Sequence, residues 1–476
     1  MPTRMVSLRQ SPVYSVKNSV VFGNQRPKQF LSELANGVSS LDIIIIGDSN
    51  TGFAPAGMWG YHHGFQEAMN LKGWACYGTP VVPILDDYTL DYYIDTWNSF
   101  INNKKPGAVC LSGNTSGGST AYSGWSPGIS GSLTYVRYGS TSSTPVYKQS
   151  WAYITNTGAN AYQDHYHSIG MQSAHPLANN TLTLYYRGRY GTFSTGSGKF
   201  QPNVRSEFEA SPWTITQLQR SAVINTNSGA SSFATWDFSF TPRNGESVRA
   251  SPFGDGNSQS AGPIAIHSHS IYARRKGWAV HAHGYFAGYT STEISNQVGA
   301  TGSTLLQTQL QEIRERQIQA GGTGRVLLML HSGINGNDTG STWTAAHIAV
   351  WNTYKVAWSA LGYPASDLAV VSWVGVPRNS DDSSSTGASG NLIAVRASAN
   401  AMVQAQSDMT VVDVKQLMNY AQANRGTGGG RSYYSTANSV HLSGGYTSGT
   451  FPTGTRDTSD GYTIVADAML NALLTS

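Results

Sequence analysis

Apolar and polar residues follow two different patterns along the chain, and these patterns predict two kinds of architecture. In residues 38–110 and 273–476, continuous apolar runs such as LDIIII and VLLML alternate with segments of helical periodicity such as TLLQTQLQEIRERQIQAG. Strands that are covered on both faces and alternate with helices are typical of a mainly parallel sheet. The sequence therefore predicts a discontinuous α/β core whose first strand spans residues 41–46.

The same periodicity predicts the individual elements around this strand. Residues 1–37 are predicted to form an arm with short strands and a short helix. Further helices are predicted over residues 57–72, 86–103, 304–321, 342–363, 391–407 and 460–476. Further strands are predicted at the start of 277–289 and within 325–335, 367–377 and 409–414.

Residues 111–272 show the second pattern. They are rich in Gly, Ser and Thr, and short alternating runs such as LTLYYRGRYGTF and SSFATWDFSFTPR are separated by turn residues. This spacing is typical of antiparallel sandwiches and jelly rolls. We therefore expect a β-sandwich, jelly-roll-like domain inserted into the α/β core.

Charged residues are scarce in this chain. They make up 12% of the 476 residues, and the net charge is +4, whereas roughly 25% is usual. Such a mild bias argues against a nucleic-acid partner, and no apolar run approaches the roughly 18 residues of a membrane span. Because the composition suits an extracellular protein but no signal peptide is visible, we expect an extracellular or virion-associated protein, with no membrane partner.

Polar residues with catalytic potential follow several of the predicted strands. Ser49 follows IIII in GDSN, Gly284 lies in the turn after GWAVHA, and Asn335 follows VLLML in HSGIN. His441 precedes the last predicted helix. Active residues collect beyond the carboxyl ends of parallel strands, so we expect these positions to meet at one edge. A hydroxyl, a histidine base and amide donors for an oxyanion are the groups that ester hydrolysis requires.

These blocks resemble the SGNH, or GDSL-type, hydrolase family. The resemblance rests on GDSN at 47–50, the glycine turn at 283–291, GIN at 333–335 and VHLS at 440–443. It covers roughly residues 38–105 and 276–476. It implies a flavodoxin-like three-layer α/β/α core and the hydrolysis of an ester through an acyl-enzyme, with no cofactor.

The resemblance also implies a nucleophile and a base. Ser49 would be the nucleophile and His441 the base. The family has an aspartate three residues before this histidine, where the present chain has Asn438. An asparagine can orient an imidazole but cannot stabilise an imidazolium as a carboxylate does. The alternatives are a Ser–His dyad, an acid supplied elsewhere by a residue such as Asp460, or weak or lost activity.

The resemblance places two further donors beside the Ser49 amide in an oxyanion hole. Gly284 and Asn335 are the favoured donors. Gly288 and Asn337 are the alternatives to them, because the spacing within both blocks departs from the family's pattern.

Three His-x-His pairs raise the question of a metal site. The pairs are His165/His167, His267/His269 and His281/His283. Residues i and i+2 of a strand share a face and could share a metal. No carboxylate or cysteine spacing supports such a site, so we interpret the pairs as polar strand faces and expect no metal.

Aromatic residues are frequent in the predicted insertion. They are Trp125, Tyr135, Trp151, Tyr185, Tyr186, Trp213 and Trp236. Each ring could belong to the core of the sandwich, which is the favoured interpretation, or stack on a sugar ring. The second interpretation adds a polysaccharide or acetylated glycan as the expected partner.

Two functions are compatible with these patterns. The favoured one is a serine esterase, most specifically a carbohydrate O-acetylesterase that acts on a polysaccharide. The alternative is a virion structural or receptor-binding protein on the same scaffold, with weak or lost activity and with assembly into a homo-oligomer or virion.

Overall fold

A computed structural model describes residues 20–48, 50–51, 60–83, 94–95, 108–109, 132–137, 150–155, 168–170, 177, 181–192, 199–206, 217–229, 232–242, 246–252, 263–284, 290–300, 303–332, 339–374, 402, 406–414, 417 and 461–476. The strands are β1 Val21–Gly23, β2 Leu41–Gly47, β3 Val82–Pro83, β4 Ile94–Asp95, β5 Ala108–Val109, β6 Ser132–Arg137, β7 Ser150–Thr155, β8 Ser168–Gly170, β9 Leu184–Thr192, β10 Lys199–Ser206, β11 Gln217–Arg220, β12 Ile224–Asn225, β13 Ser232–Phe240, β14 Glu246–Pro252, β15 Pro263–Ala273, β16 Trp278–Gly284, β17 Val326–Ser332, β18 Leu368–Val374 and β19 Thr410–Val412. The helices are α1 Arg26–Ala35, α2 Tyr61–Leu71, α3 Ser291–Ala300, α4 Ser303–Gln319, α5 Gly340–Ala360 and α6 Gly461–Thr475.

A parallel sheet forms the centre of the α/β core. Its strand order is β1-β19-β18-β17-β2-β16, and β1 is the antiparallel strand at one edge. When the five parallel strands are counted along the chain, their spatial order is 2-1-3-4-5. This is the flavodoxin-like order, and its topological switch point lies between β2 and β17. Ligands of open α/β sheets bind beyond the carboxyl ends of the strands at such a point.

Helices cover both faces of this sheet. Successive side chains of a strand point to opposite faces, and all seven residues of β2 are buried. Ile43 and Ile45 lie in one apolar cluster with side chains of α1, α2 and α6. Ile44 and Ile46 lie in another with side chains of α3, α4 and α5. The run of isoleucines is therefore apolar throughout because both of its faces are covered.

Antiparallel strands form two further sheets. One has the order β13-β9-β15-β7-β6, with β3 paired to β15, and the other has the order β11-β10-β14-β8, with β12 paired to β10. The ring of Phe200 in β10 lies 5.1 Å from that of Tyr190 in β9 and 5.2 Å from that of Trp236 in β13. These contacts pack the two sheets against each other. The domain bounds 111–272 and the jelly-roll topology stay predictions.

A buried group of charges connects β9 to α4. The Arg187 guanidinium donates to both carboxylate oxygens of Glu312, at 2.7 and 3.3 Å, and Arg189 Nε lies 3.4 Å from Glu312 Oε2. Glu312 has no exposed surface. Glu315, which is 37% exposed, accepts from the same two arginines. The antiparallel sheet is thus attached to the α/β core by charge pairs as well as by apolar contact.

A second buried group surrounds Asp42 near the amino end of β2. The carboxylate of Asp42 accepts hydrogen bonds from Tyr77 Oη, His281 Nε2, Arg316 and Gln317. Burial by itself would raise the pKa of Asp42, but the hydrogen bond from His281 and the charge of Arg316 hold this pKa below its ordinary value. We call these five residues the Asp42 cluster.

The described elements confirm most of the predicted core. The predicted strand at 41–46 is β2, and the predicted helices at 304–321, 342–363 and 460–476 are α4, α5 and α6. The helix predicted over 86–103 is wrong in its described part, because Ile94–Asp95 pairs in parallel with Ala108–Val109 as a strand. Among the helices that the structure describes, none is long and apolar enough to cross a membrane.

Replacement of Glu312 tests the attachment of β9 to α4. In Glu312→Gln, the buried Arg187 and Arg189 lose the negatively charged carboxylate that pairs with both of them. Breaking a buried pair in this way costs about 3–5 kcal/mol. We expect the free energy of unfolding, measured by urea denaturation, to fall by about this amount. Glu315→Gln is the matched control: it removes a carboxylate from the same two arginines, but Glu315 is 37% exposed to water, so we expect a smaller loss. Equal stability of the Glu312→Gln variant and the wild type would contradict this role.

Candidate active site at the carboxyl edge of the parallel sheet

Gly47, the last residue of β2, lies against an imidazole from the neighbouring strand. A Cβ atom at this position would overlap the ring of His331 in β17. Only glycine leaves room for the ring, because any other side chain begins with that atom. The sequence Ile46-Gly47-Asp48 therefore marks the point where β2 and β17 approach each other at the switch point.

The chain turns directly after Gly47. Asp48 Oδ1 accepts from the backbone N–H of Asn50 at 2.9 Å and from Asn50 Nδ2 at 3.1 Å. The backbone N–H of Thr51 donates to the Asp48 carbonyl at 2.9 Å. Such a side-chain-to-backbone bond two residues ahead defines an Asx turn. Ser49 is the residue that joins Asp48 to Asn50 in the chain.

Thr51 attaches this turn to β17. Its Oγ1 lies 2.6 Å from His331 Nε2, and Thr51 and His331 are both buried. His331 Nδ1 lies 3.8 Å from Asp48 Oδ1, which is too far for a hydrogen bond. Asp48 and Thr51 thus both lie near the His331 ring, but only Thr51 forms a hydrogen bond with it.

Helix α2 holds the other side of the turn. The backbone N–H groups of Tyr61 and His62 donate to the carbonyls of Asn50 and Thr51, at 2.7 and 2.8 Å. The first N–H groups of a helix have no partner inside the helix. Here the turn supplies those partners, so the amino end of α2 and its partial positive charge face the GDSNT segment.

The C-terminal helix also contacts this turn. Tyr462 Oη in α6 donates to Asn50 Oδ1 at 2.8 Å. A Cβ atom on Gly64 of α2 would overlap the backbone of Tyr462, so α2 and α6 pack backbone to backbone. The segment that follows the predicted His441 block is therefore attached to the loop that contains Ser49.

Aromatic rings surround His331 and keep it neutral. Its ring lies 4.8 Å from that of Tyr61 and 5.1 Å from that of Trp373, centroid to centroid. Burial, with a smaller effect from His347, lowers the pKa of His331 to about 3. A base this weak is poorly matched to take a proton from a hydroxyl near neutral pH. His331 therefore supports the loop rather than acting as a base.

The structure describes one of the five predicted site residues. Gly284 ends β16, and its Cα is the register partner of Gly47 at the carboxyl edge. Ser49, Asn335, Asn438 and His441 lie outside the described residues, as do the alternatives Gly288, Asn337 and Asp460. The roles that the family resemblance assigns to these residues stay predictions.

Three residues that shape this edge were not predicted from the sequence. They are Thr51, His331 and Tyr462. His331 carried a usable signal, since a polar residue that ends the apolar run VLLML must find a partner beyond the strand. Thr51 and Tyr462 carried none, because their partners lie far away in the chain.

The described histidines of the His-x-His pairs have protein partners. His269 Nδ1 lies 3.0 Å from Tyr186 Oη. His281 Nδ1 accepts from the backbone N–H of Val81, so its Nε2 carries the hydrogen that bonds Asp42. The side chains of the other four histidines lie outside the described part of the chain.

Two of the aromatic residues proposed for sugar stacking belong to the core. Tyr186 and Trp236 are buried, and they lie edge to face with their ring centroids 5.6 Å apart. Tyr185 stacks on Tyr272, and the Arg274 guanidinium lies 4.1 Å from its ring. The side chains of Trp125, Tyr135, Trp151 and Trp213 lie outside the described residues.

Comparison with known proteins gives distant likenesses to solved structures. No protein-family model and no curated protein matches the sequence. A structure of a peptidoglycan O-acetylesterase is similar over 96% of this chain and 98% of its own, at 12% identity and a TM-score of 0.46. The CBM22-1 xylan-binding domain of Paenibacillus barcinonensis Xyn10C matches over 30% of this chain and 81% of its own, at 7% identity and a TM-score of 0.21. A family two carbohydrate esterase from Cellvibrio japonicus matches over 58% and 99%, at 7% identity and a TM-score of 0.13. These TM-scores are too low for a shared fold or function to follow from them.

Gly47 offers a test of the contact between β2 and β17. In Gly47→Ala, the new methyl group displaces the His331 ring, and overpacking of this kind costs about 1–3 kcal/mol. We expect a lower free energy of unfolding in urea. Gly299→Ala in α3 is the control, because a Cβ atom there has no neighbour within 4 Å. An unchanged stability of Gly47→Ala would contradict the close approach.

Buried neutral histidines predict that the protein loses stability in acid. Burial lowers the pKa values of His269, His331 and His347 to about 3 from 6.5. Between these values the unfolded chain binds protons that the native state does not, so stability rises with pH across this window. Each histidine contributes a slope of up to about 1.4 kcal/mol per pH unit.

Urea denaturation at several pH values measures this slope. Above pH 6.5 we expect the titration of these histidines to have almost no effect on the free energy of unfolding. As the pH drops from 6.5 toward 3, we expect this free energy to fall. His269→Gln removes one titrating group outside the candidate site, so its slope should be shallower than that of the wild type. Identical slopes for the two proteins would show that His269 does not stay neutral on folding.

Proposed function

We propose that the protein is a serine ester hydrolase in which Ser49 is the nucleophile. One observation carries this proposal: the GDSNT segment follows β2 at the topological switch point, and hydrogen bonds hold it on both sides of Ser49. Nucleophiles of open α/β sheets are presented beyond a strand end in this way. The amino end of α2, which faces the segment, favours the negative charge that develops during acyl transfer.

The proposed reaction has two steps. Ser49 Oγ attacks the acyl carbon while His441 takes its proton, and the C–O bond to the alcohol breaks as His441 returns that proton to the leaving oxygen. Water then attacks the acyl-serine in the same manner and releases the acid. The Ser49 amide, Gly284 and Asn335 are the proposed donors to the oxyanion. Asn438 is proposed to orient His441 without a carboxylate.

We further propose that the substrate is an O-acetylated polysaccharide. The polar Gly/Ser/Thr-rich composition and the predicted insertion between the first two sequence blocks support a glycan substrate. Tyr186 and Trp236 do not serve this purpose, because both are buried. The rings that remain for stacking on sugars are Trp125, Tyr135, Trp151, Tyr185 and Trp213. An extracellular or virion-associated location is part of the same proposal and rests on composition.

Hydrolysis of an aryl acetate by the purified protein tests the reaction. Ser49→Ala removes the nucleophile, so we expect kcat to fall by at least about 1,000-fold, because the hydroxyl forms the acyl-enzyme. Ser359→Ala, which replaces an exposed serine of α5, should keep the wild-type rate. Equal turnover by Ser49→Ala and wild type would overturn the proposal. Release of acetate from an acetylated polysaccharide then tests the substrate class separately.

A further inference from the structure

Four buried side chains form a second hydrogen-bonded group at the same edge of the sheet. Ser332 Oγ lies 2.5 Å from Ser291 Oγ and 2.7 Å from His347 Nε2, and His347 Nδ1 lies 3.1 Å from Ser372 Oγ. We call these four residues the Ser332 chain. Because neighbouring residues of a strand face opposite sides, Ser332 points away from the side of β17 on which His331 lies. The Ser332 chain joins α3, β17, α5 and β18.

The Ser332 chain is suited to fixing geometry rather than to moving protons. All four of its residues are buried. Burial lowers the pKa of His347 to about 3, so its imidazole is neutral at ordinary pH. A neutral imidazole donates from one nitrogen and accepts at the other. Each of the three contacts between Ser291 and Ser372 can therefore be a hydrogen bond, whichever way the hydrogen bonds run.

The Ser332 chain and a helix cap hold both ends of residues 333–338 on one helix. Ser332 precedes this segment and bonds His347 in α5. Thr339 follows it and caps the same helix, since Thr339 Oγ1 accepts from the Thr342 N–H while Thr342 Oγ1 accepts from the Thr339 N–H. The segment contains Asn335, the proposed oxyanion donor.

The Ser332 chain also holds the segment that follows β16. Ser291 begins α3, and this start is fixed by a reciprocal cap in which Thr290 N–H donates to Glu293 Oε2 and Glu293 N–H donates to Thr290 Oγ1. The hydroxyl of Ser291 then contacts Ser332 at the end of β17. The polypeptide leaves the sheet at Gly284 and is attached again to the carboxyl edge at Ser291, seven residues later, where α3 begins.

We propose that Ser332 is a positioning residue for ester hydrolysis, and that it holds the segments bearing Gly284 and Asn335 at one fixed separation. This inference rests on the proposed function, and it identifies the part of the fold that fixes the positions of the proposed oxyanion donors. Ser332 itself does not touch the substrate. Its effect is exerted through Ser291 and His347.

Kinetics of Ser332→Ala test this role. Loss of the hydroxyl leaves Ser291 and His347 without their shared partner, and misplacement of catalytic groups by about 1 Å can cost up to about 100-fold in rate. We expect kcat for an aryl acetate to fall 10- to 100-fold with KM within about twofold. The pH profile of kcat between pH 6 and 9 should keep its shape, since the Ser332 chain does not titrate there. Ser332→Thr keeps the hydroxyl and should recover most of the rate.

Ser39→Ala is the matched control for a purely structural loss. Ser39 Oγ lies 2.6 Å from Thr323 Oγ1, is 1% exposed and precedes β2 at the opposite edge of the sheet. Its replacement removes one buried hydroxyl and its hydrogen bond to the exposed Thr323. We expect a similar loss of stability in urea with kcat unchanged. If kcat falls as much in Ser39→Ala as in Ser332→Ala, general destabilisation explains both results and the inference is overturned.

The outcomes separate this inference from the proposed function. If Ser49 is essential but Ser332→Ala keeps the wild-type kcat, the inference fails and the function stands. If the wild type shows no turnover that depends on Ser49, the function fails, and hydrogen–deuterium exchange decides the positioning role. Faster exchange in both 290–300 and 326–332 for Ser332→Ala, but not for Ser39→Ala, would support the coupling. Unchanged exchange in either segment would overturn it.

Discussion

The fold depends on the compensation of one buried carboxylate. Asp42 lies in β2 with no exposed surface, so its negative charge must be met by donors from the protein. Tyr77, His281, Arg316 and Gln317 supply them, and they belong to β16, α4 and the segment after α2. Removal of one partner of a buried charge is far more costly than the net gain from the pair. The Asp42 cluster therefore fixes how β2, β16 and α4 fit together, and α4 in turn holds β9 through Glu312.

The carboxyl end of the same strand is fixed by shape rather than by charge. Gly47 leaves room for His331, and Thr51 bonds the ring that fills this room. The turn formed by Asp48 and Asn50 is then held by α2 and by Tyr462 of α6. The described residues on both sides of position 49 are therefore held in a fixed frame. Such preorganisation is what a nucleophile and its oxyanion donors require.

The sequence predicted those parts of the fold whose cause is local. The isoleucine run predicted β2, and the amphipathic pattern predicted α4, because burial on two faces or on one stripe is visible within a short window. The helix predicted over 86–103 failed at Ile94, where pairing with a distant strand outweighs local periodicity. The contacts of His331 with Thr51, and of Arg187 with Glu312, could not be predicted, because polar partners far apart in the chain leave no periodic signal.

The central claim is that the frame around β2 presents Ser49 as a nucleophile. Treatment of the full-length protein with an alkyl fluorophosphonate, followed by peptide mass spectrometry with fragmentation, tests it most directly, since this probe forms a stable bond with an activated serine. We predict one adduct per chain, located on Ser49 and absent from Ser49→Ala. An adduct on another serine, or no adduct in the folded wild type, would contradict the account.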